Sequence, residues 1–358
     1  MATLDHDGRF ADRRPGTLEC DTMIRSLLAG VVAVLMAATA QPAVADTDVR
    51  FSLDWKFEGQ TAPYFVALDK GYYKAEGLNV SIDTGSGSVA GIPRVAIGTY
   101  QIGFFDINSL VRFRDQSPDK DVKAVLMVYD RPAFAVASLK RTGIAKPKDL
   151  EGRVVGAPPG DGAFAQWKAF VDAAGIDESK LRIESLGFPV REPMLADGRV
   201  DAIVGFSFSM FFNLRQKNIP PDDIVMILMA DHGLSLYGNA IVVNSDFLKA
   251  NPQAVRGFVR ATIKGLIDTA RDPDSAIKAM MKRNETADEK TELARLRRVL
   301  AENIVTPWVK QNGIGDVDPA RLAKSIEQIG LTYEYKNKAK AADVFTNAFL
   351  PPAAERMP

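Results

Sequence analysis

From residue 47 the chain alternates apolar and polar positions with the two-residue period of a strand, switches to a helical period, and then switches back. Residues 49–55 read as a strand, 62–74 as a helix and 78–83 as a second strand, a βαβ opening. The turn Gly85-Ser86-Gly87-Ser88 leads to a short helix over 89–97 and a third strand over 101–105 that ends at Asp106. Residues 122–129 and 134–139 are largely apolar, as expected of strands buried on both faces of a mostly parallel sheet. A second unit starts near Gly143. Its strands are expected near 154, over 181–187, 202–206 and 224–230, with a helix carrying Trp167 and others starting near Arg191 and Ser209. The chain then returns through a strand over 237–244. Amphipathic helices follow over 252–272, 274–283 and 288–305, each with Pro or Asp near its start. The order predicts two α/β lobes joined by two crossovers, with a helical tail packed on the first lobe. Lobe one takes 46–135 with 236–358, and lobe two takes 136–235.

Ahead of this pattern lies a different signal. Arg25 supplies a positive flank, 27–40 an apolar run too short to span a bilayer comfortably, and Ala43 and Ala45 the small residues that suit signal peptidase. Residues 1–45 are therefore expected to be leader and signal peptide, cleaved after Ala45, with Met23 a candidate start. The alternative reading of the run is a buried core helix.

Composition narrows the function. Lysines and arginines equal aspartates and glutamates at 45 each, and the pI is near 6.8, so no basic footprint for nucleic acid exists. The only cysteine, Cys20, precedes the predicted cleavage point, which excludes a disulfide or thiolate metal site in residues 46–358. No cysteine follows the apolar run to carry a lipid anchor. The expectation is a freely soluble monomer, periplasmic in a cell with two membranes, with no membrane insertion after cleavage. Beyond residue 45, His232 is the only histidine, so a three-histidine metal site cannot be built. A turn histidine of this kind more often bonds local backbone. No metal or cofactor is expected.

Gly85-Ser86-Gly87-Ser88 also matches a lenient dinucleotide fingerprint, with Asp106 about twenty residues on. The short helix and the export signal weigh against a nucleotide. In open α/β sheets ligands sit beyond the carboxyl ends of strands, which brings Asp54, Trp55, Ser86, Ser88 and Asp106 to one rim.

Five stretches carry a family resemblance: Leu53-Asp54-Trp55, the run from Pro63 to Ala67 (PYFVA), the run from Lys70 to Val80 (KGYYKAEGLNV), and the later runs VDAIVGF and NSDFLKANPQAVRGFVRA. The chain resembles the NMT1/THI5-like solute-binding proteins over nearly all of residues 46–358. That resemblance implies a type II periplasmic binding protein fold. It also implies delivery of a small ligand, of the pyrimidine, sulfonate or taurine, nitrate or aromatic-acid class, to an ABC transporter permease. The superfamily includes an enzyme, thiamine pyrimidine synthase, which is the alternative function. Its lysine and histidine would fall at Phe105 and Ser109, its cysteine-rich segment near 235–239, and its phosphate turn at Pro158-Pro159-Gly160, none of which keeps the needed side chains.

Strand ends nominate the side chains that hold cargo. Trp55 and Phe57 follow strand one, Phe188 and Phe206 end strands of the second lobe, and Tyr237 begins the return crossing, so aromatics from both lobes can sandwich a flat ligand. Core packing is the competing role for each. Asp54, Asp106, Asp161 and Asn239 are the polar candidates, with helix capping the competing role of Asp106 and Asp161. The N–H groups of Gly162 and Ala163 could meet an anion at a helix start, although Asp161 beside them opposes one. Arg191, if it turns into the cleft, favours an acidic ligand. Hinges are expected at 129–134 and 232–239.

Overall fold

The computed structural model describes residues 46–358, so the predicted leader and signal peptide lie outside the described residues. Among the described residues ten strands form two five-stranded sheets. In the first sheet lie β1 (Thr47–Ser52), β2 (Leu78–Asp83), β3 (Ile102–Asp106), β4 (Val122–Met127) and β10 (Asn239–Asn244). Their order is β2-β1-β3-β10-β4. The second sheet holds β5 (Phe134–Leu139), β6 (Val154–Ala157), β7 (Arg182–Ser185), β8 (Ala202–Phe206) and β9 (Ile224–Leu228). It repeats the plan as β7-β6-β8-β5-β9. Two α/β lobes of matching topology, joined by two crossovers, make a type II periplasmic binding protein fold.

The sheets are mixed rather than mostly parallel. β5 runs antiparallel to both β8 and β9, and β10 runs antiparallel to both β3 and β4. Each is the first strand after a crossover, and each inserts between two strands of its new sheet against their direction. Both are nevertheless buried at every residue, which is why their sequences read like parallel strands.

The crossovers touch. Gly238 N–H donates to Tyr129 O at 2.9 Å and Tyr129 N–H to Asn239 O at 2.9 Å. A Cβ on Gly238 would stand 2.8 Å from Tyr129 Cβ, so only glycine lets the two strands run this close.

Local chemistry shifts several predicted boundaries. The helix expected over 62–74 breaks at Gly71, whose φ of 71° is left-handed, into Ala62–Asp69 and Tyr72–Ala75. The helix expected over 288–305 is α-helical for Glu289–Val299 and widens to a π-helical segment over Leu300–Ile304. The tail does not pack on the first lobe alone. Helix Glu289–Val299 contacts both the turn Gly59–Thr61 of the first lobe and helix Ser207–Gln216 of the second. Helix Pro319–Thr332 contacts Ile107–Gln116 and Trp167–Ala173, again one helix from each side. Among the described residues no helix is long and apolar enough to cross a membrane.

Rings dominate the interior. Phe51 stands edge-on to Tyr64 and Phe258 under the first sheet. A second cluster, with Phe105, Phe134, Phe170 and Tyr237, draws on strands of both sheets. Burial of one such ring contributes about 1.5–3 kcal/mol.

Candidate functional site

The carboxyl ends of strands from both sheets meet in a cleft. From the first sheet β1 delivers Asp54 and Trp55, and the turn after β2 delivers Gly87 and Ser88; from the second come Asp161, Gly162, Phe188, Arg191 and Phe206. The turn is pinned to β1, since Gly87 N–H donates to Asp54 O at 2.7 Å. The enclosed space is about 30 Å³, or about 430 Å³ counting the mouth open to solvent. The inner volume holds one or two waters, far less than a ligand pocket of several hundred Å³.

Rings from opposite lobes close this cleft. Trp55 and Phe188 lie with centroids 4.5 Å apart at 54°. Phe206 and Phe208 form an edge-on pair at 5.8 Å behind them.

The polar lining is acidic. Asp54 is 8% exposed, accepts from Asn239 Nδ2 at 2.7 Å, and pairs with no cation among the described residues. Burial raises its pKa to about 7 against the pull of the Asn239 bond. Asp161 Oδ1 accepts from Ala163 N–H at 2.7 Å and Oδ2 from Arg191 at 3.1 Å, and burial pushes it upward too. Arg191 is buried. Besides Asp161 it donates to Glu192 Oε1 at 2.7 Å, so its charge is matched twice within the protein. Three lining atoms are buried with no hydrogen-bond partner among the described residues: the Trp55 Nε1–H donor, the Gln60 Oε1 acceptor and the Tyr129 hydroxyl. A buried polar group left unpaired costs about 1–3 kcal/mol, which makes these atoms natural contacts for a polar ligand.

Other nominated residues stand elsewhere. Asp106 caps helix Ile107–Gln116, accepting from the N–H groups of Asn108 and Ser109, and it also accepts from Asn108 Nδ2, Ser109 Oγ and Gln166. Phe57 turns edge-on to Phe65, away from the cleft. Tyr237 lies under the Arg321 guanidinium at 3.9 Å, and its hydroxyl accepts from Asp318 N–H. Ser86 is outside the lining. Ala163 N–H is consumed by Asp161, which fills the place an anion would take. Asn239 sits one layer back, holding Asp54.

Sequence reasoning missed Gln60, Tyr129, Phe208 and Ser209 as lining residues. Phe208 and Ser209 follow the end of β8 and were open to the same strand-end argument as Phe206. Gln60 lies in a single 3-10 turn with no periodicity to mark it.

Two lobes of this topology around an interlobe cleft define the periplasmic binding protein class. The NMT1/THI5 like family model matches residues 58–276, and the chain belongs to that family. The riboflavin-binding protein RibY of Chloroflexus aurantiacus is 27% identical over 88% of this chain and 89% of its own length. The formylaminopyrimidine-binding protein of Halalkalibacterium halodurans is 25% identical over 72% of this chain and 78% of its own. A 4-amino-5-hydroxymethyl-2-methylpyrimidine phosphate synthase of Aspergillus parasiticus is 24% identical over 64% and 68%. Among solved structures, the periplasmic aliphatic sulphonate binding protein SsuA of Escherichia coli superposes with a TM-score of 0.66 at 13% identity, covering 85% of this chain and 99% of that one.

Proposed function

We propose that this chain is the exported solute-binding component of an ABC importer. It captures a flat nitrogen heterocycle between its lobes and hands it unaltered to a membrane permease. The observation that carries this reading is the cleft itself. Rings from opposite lobes face each other, and the polar lining offers a donor, an acceptor, a hydroxyl and a carboxyl but no unmatched cation. A heterocycle with N–H and ring-nitrogen edges answers that lining. The relatives that bind riboflavin and formylaminopyrimidine carry such rings. Sulfonate and nitrate fit poorly, because Arg191 is already neutralised by Asp161 and Glu192.

Capture works by hinge closure about 128–133 and 229–238, the ligand shifting the balance between open and closed forms by its differential affinity. The synthase reading has the matching relative in its favour. Against it stand Phe105, whose ring fills the space beside Gly91 and Gly103, and Ser109, which donates to Asp106. Neither supplies an amine for a Schiff base or an imidazole.

Native mass spectrometry and equilibrium dialysis of the purified protein against riboflavin, 4-amino-5-hydroxymethyl-2-methylpyrimidine, taurine and nitrate test the proposal. A one-to-one complex with a heterocycle, recovered chemically unchanged, is expected. Binding of only taurine or nitrate, or consumption of histidine and pyridoxal phosphate, would overturn it.

A further inference from the structure

A chain of buried polar side chains runs behind the cleft and links the lobes through the tail. Arg295, 1% exposed on helix Glu289–Val299, donates from Nε and Nη2 to Glu292 at 2.9 and 3.2 Å and pairs with Glu58 at 3.3 Å. These contacts lie on the first-lobe side, where Glu292 also accepts from Gly59 N–H at 2.6 Å. The remaining donors of Arg295 point across the gap. They reach Phe208 O and Asn213 Oδ1, both at 3.4 Å, on helix Ser207–Gln216 of the second lobe. Asn213 Nδ2 in turn donates to Glu192 Oε1 at 3.4 Å, and Glu192 holds Arg191, which holds Asp161 in the cleft wall.

The distances divide in a telling way. On the first-lobe side the bonds to Glu292 and Glu58 are 2.6–3.3 Å, whereas the two bonds that Arg295 makes across the seam are each 3.4 Å, as is the Asn213–Glu192 bond within the second lobe. Short bonds to buried carboxylates fix the guanidinium on one lobe; long bonds to a neutral carbonyl and an amide can be broken without stranding a charge. We propose that Arg295 and Asn213 form a latch that favours the closed cleft, positioning residues for capture that never touch the ligand. The proposal rests on the reading of the protein as a hinged binder.

The test needs no ligand. Spin labels at Ile97→Cys and Val190→Cys, exposed positions on the first and second lobes, report the interlobe distance in the full chain with Cys20→Ser. The latch predicts that Asn213→Ala and Arg295→Lys each raise the ratio of long to short distances at least about threefold. Asn213 is half-buried and uncharged, so Asn213→Ala should leave the melting temperature within a few degrees, separating the latch from a folding defect. Two distances in the unlatched-free parent with the same ratio in both variants would sink the latch and leave the hinge standing. One identical distance in all three proteins would sink both.

Discussion

Trp55, three residues beyond the end of β1, meets Phe188 from the other lobe with ring centroids 4.5 Å apart. The pair is a direct contact across the cleft, and on the proposed reading it separates to admit a flat ligand between its faces. Trp55 also brings the unpartnered Nε1–H into the lining. Trp55→Ala should therefore weaken binding of the captured heterocycle by about tenfold or more, and Trp55→Phe, which keeps a face but not the donor, by less. Isothermal titration reads the affinity. Because Trp55 is only half-buried, the melting temperature should move little, and an unchanged affinity in Trp55→Ala would remove the ring from the site.

Asp54 gives the protein a pH dependence of defined sign. Its pKa rises from the ordinary 3.8 to about 7 because burial disfavours the charged form. The folded chain thus holds a proton that the unfolded chain releases near pH 4. Stability from this group is complete below about pH 4 and is lost as pH rises through 7, an effect on the order of 4 kcal/mol at its limit. Asp54→Asn should flatten the fall in melting temperature between pH 5 and 8 and make the protein more stable than the parent at pH 8. A parallel pair of curves for parent and variant would show that the carboxyl titrates normally.

The strand and helix order was legible because each element carries its own period, and Trp55, Phe188 and Phe206 were legible because they stand at strand ends. Direction was not. Whether β5 and β10 run with or against their neighbours is decided by where the crossovers re-enter a sheet, which leaves no mark on residues 134–139 or 239–244. Tyr237 looked like a ligand contact for the same reason Phe206 did. Its ring is claimed instead by Arg321 and its hydroxyl by Asp318 N–H, partners more than eighty residues away. The bridging role of the tail was likewise hidden, since the amphipathic period of 288–305 shows a buried face but not which lobe covers it.

Arg191 makes a prediction about ligand charge. Its guanidinium is buried between Asp161 and Glu192, so it has no charge to offer an anion. Taurine and nitrate should give no measurable heat at millimolar concentration. Arg191→Met should leave both carboxylates buried without their counter-ion and lower stability by about 3–5 kcal/mol in urea titration. Saturable sulfonate binding by the parent protein would contradict this assignment.

Gly87 and Gly77 separate backbone strain from closure. Both have positive φ, 98° and 71°; alanine costs about 1 kcal/mol through the backbone at Gly77 and more at Gly87, whose ψ of 154° lies in a region kept almost wholly for glycine. Their surroundings differ. Around Gly77 a Cβ meets nothing within 4 Å, whereas at Gly87 it would stand 2.3 Å from Gly160 O and 3.2 Å from Phe188 Cζ, both on the opposite lobe. The turn cannot slide away, because Gly87 N–H is tied to Asp54 O at 2.7 Å. Gly87→Ala should therefore hold the lobes apart while leaving each intact. Gly87→Ala should lose more melting temperature than Gly77→Ala, and it alone should lose ligand affinity, by about tenfold or more. Equal affinity in the two would mean that the approach of Gly87 to Gly160 is no part of capture.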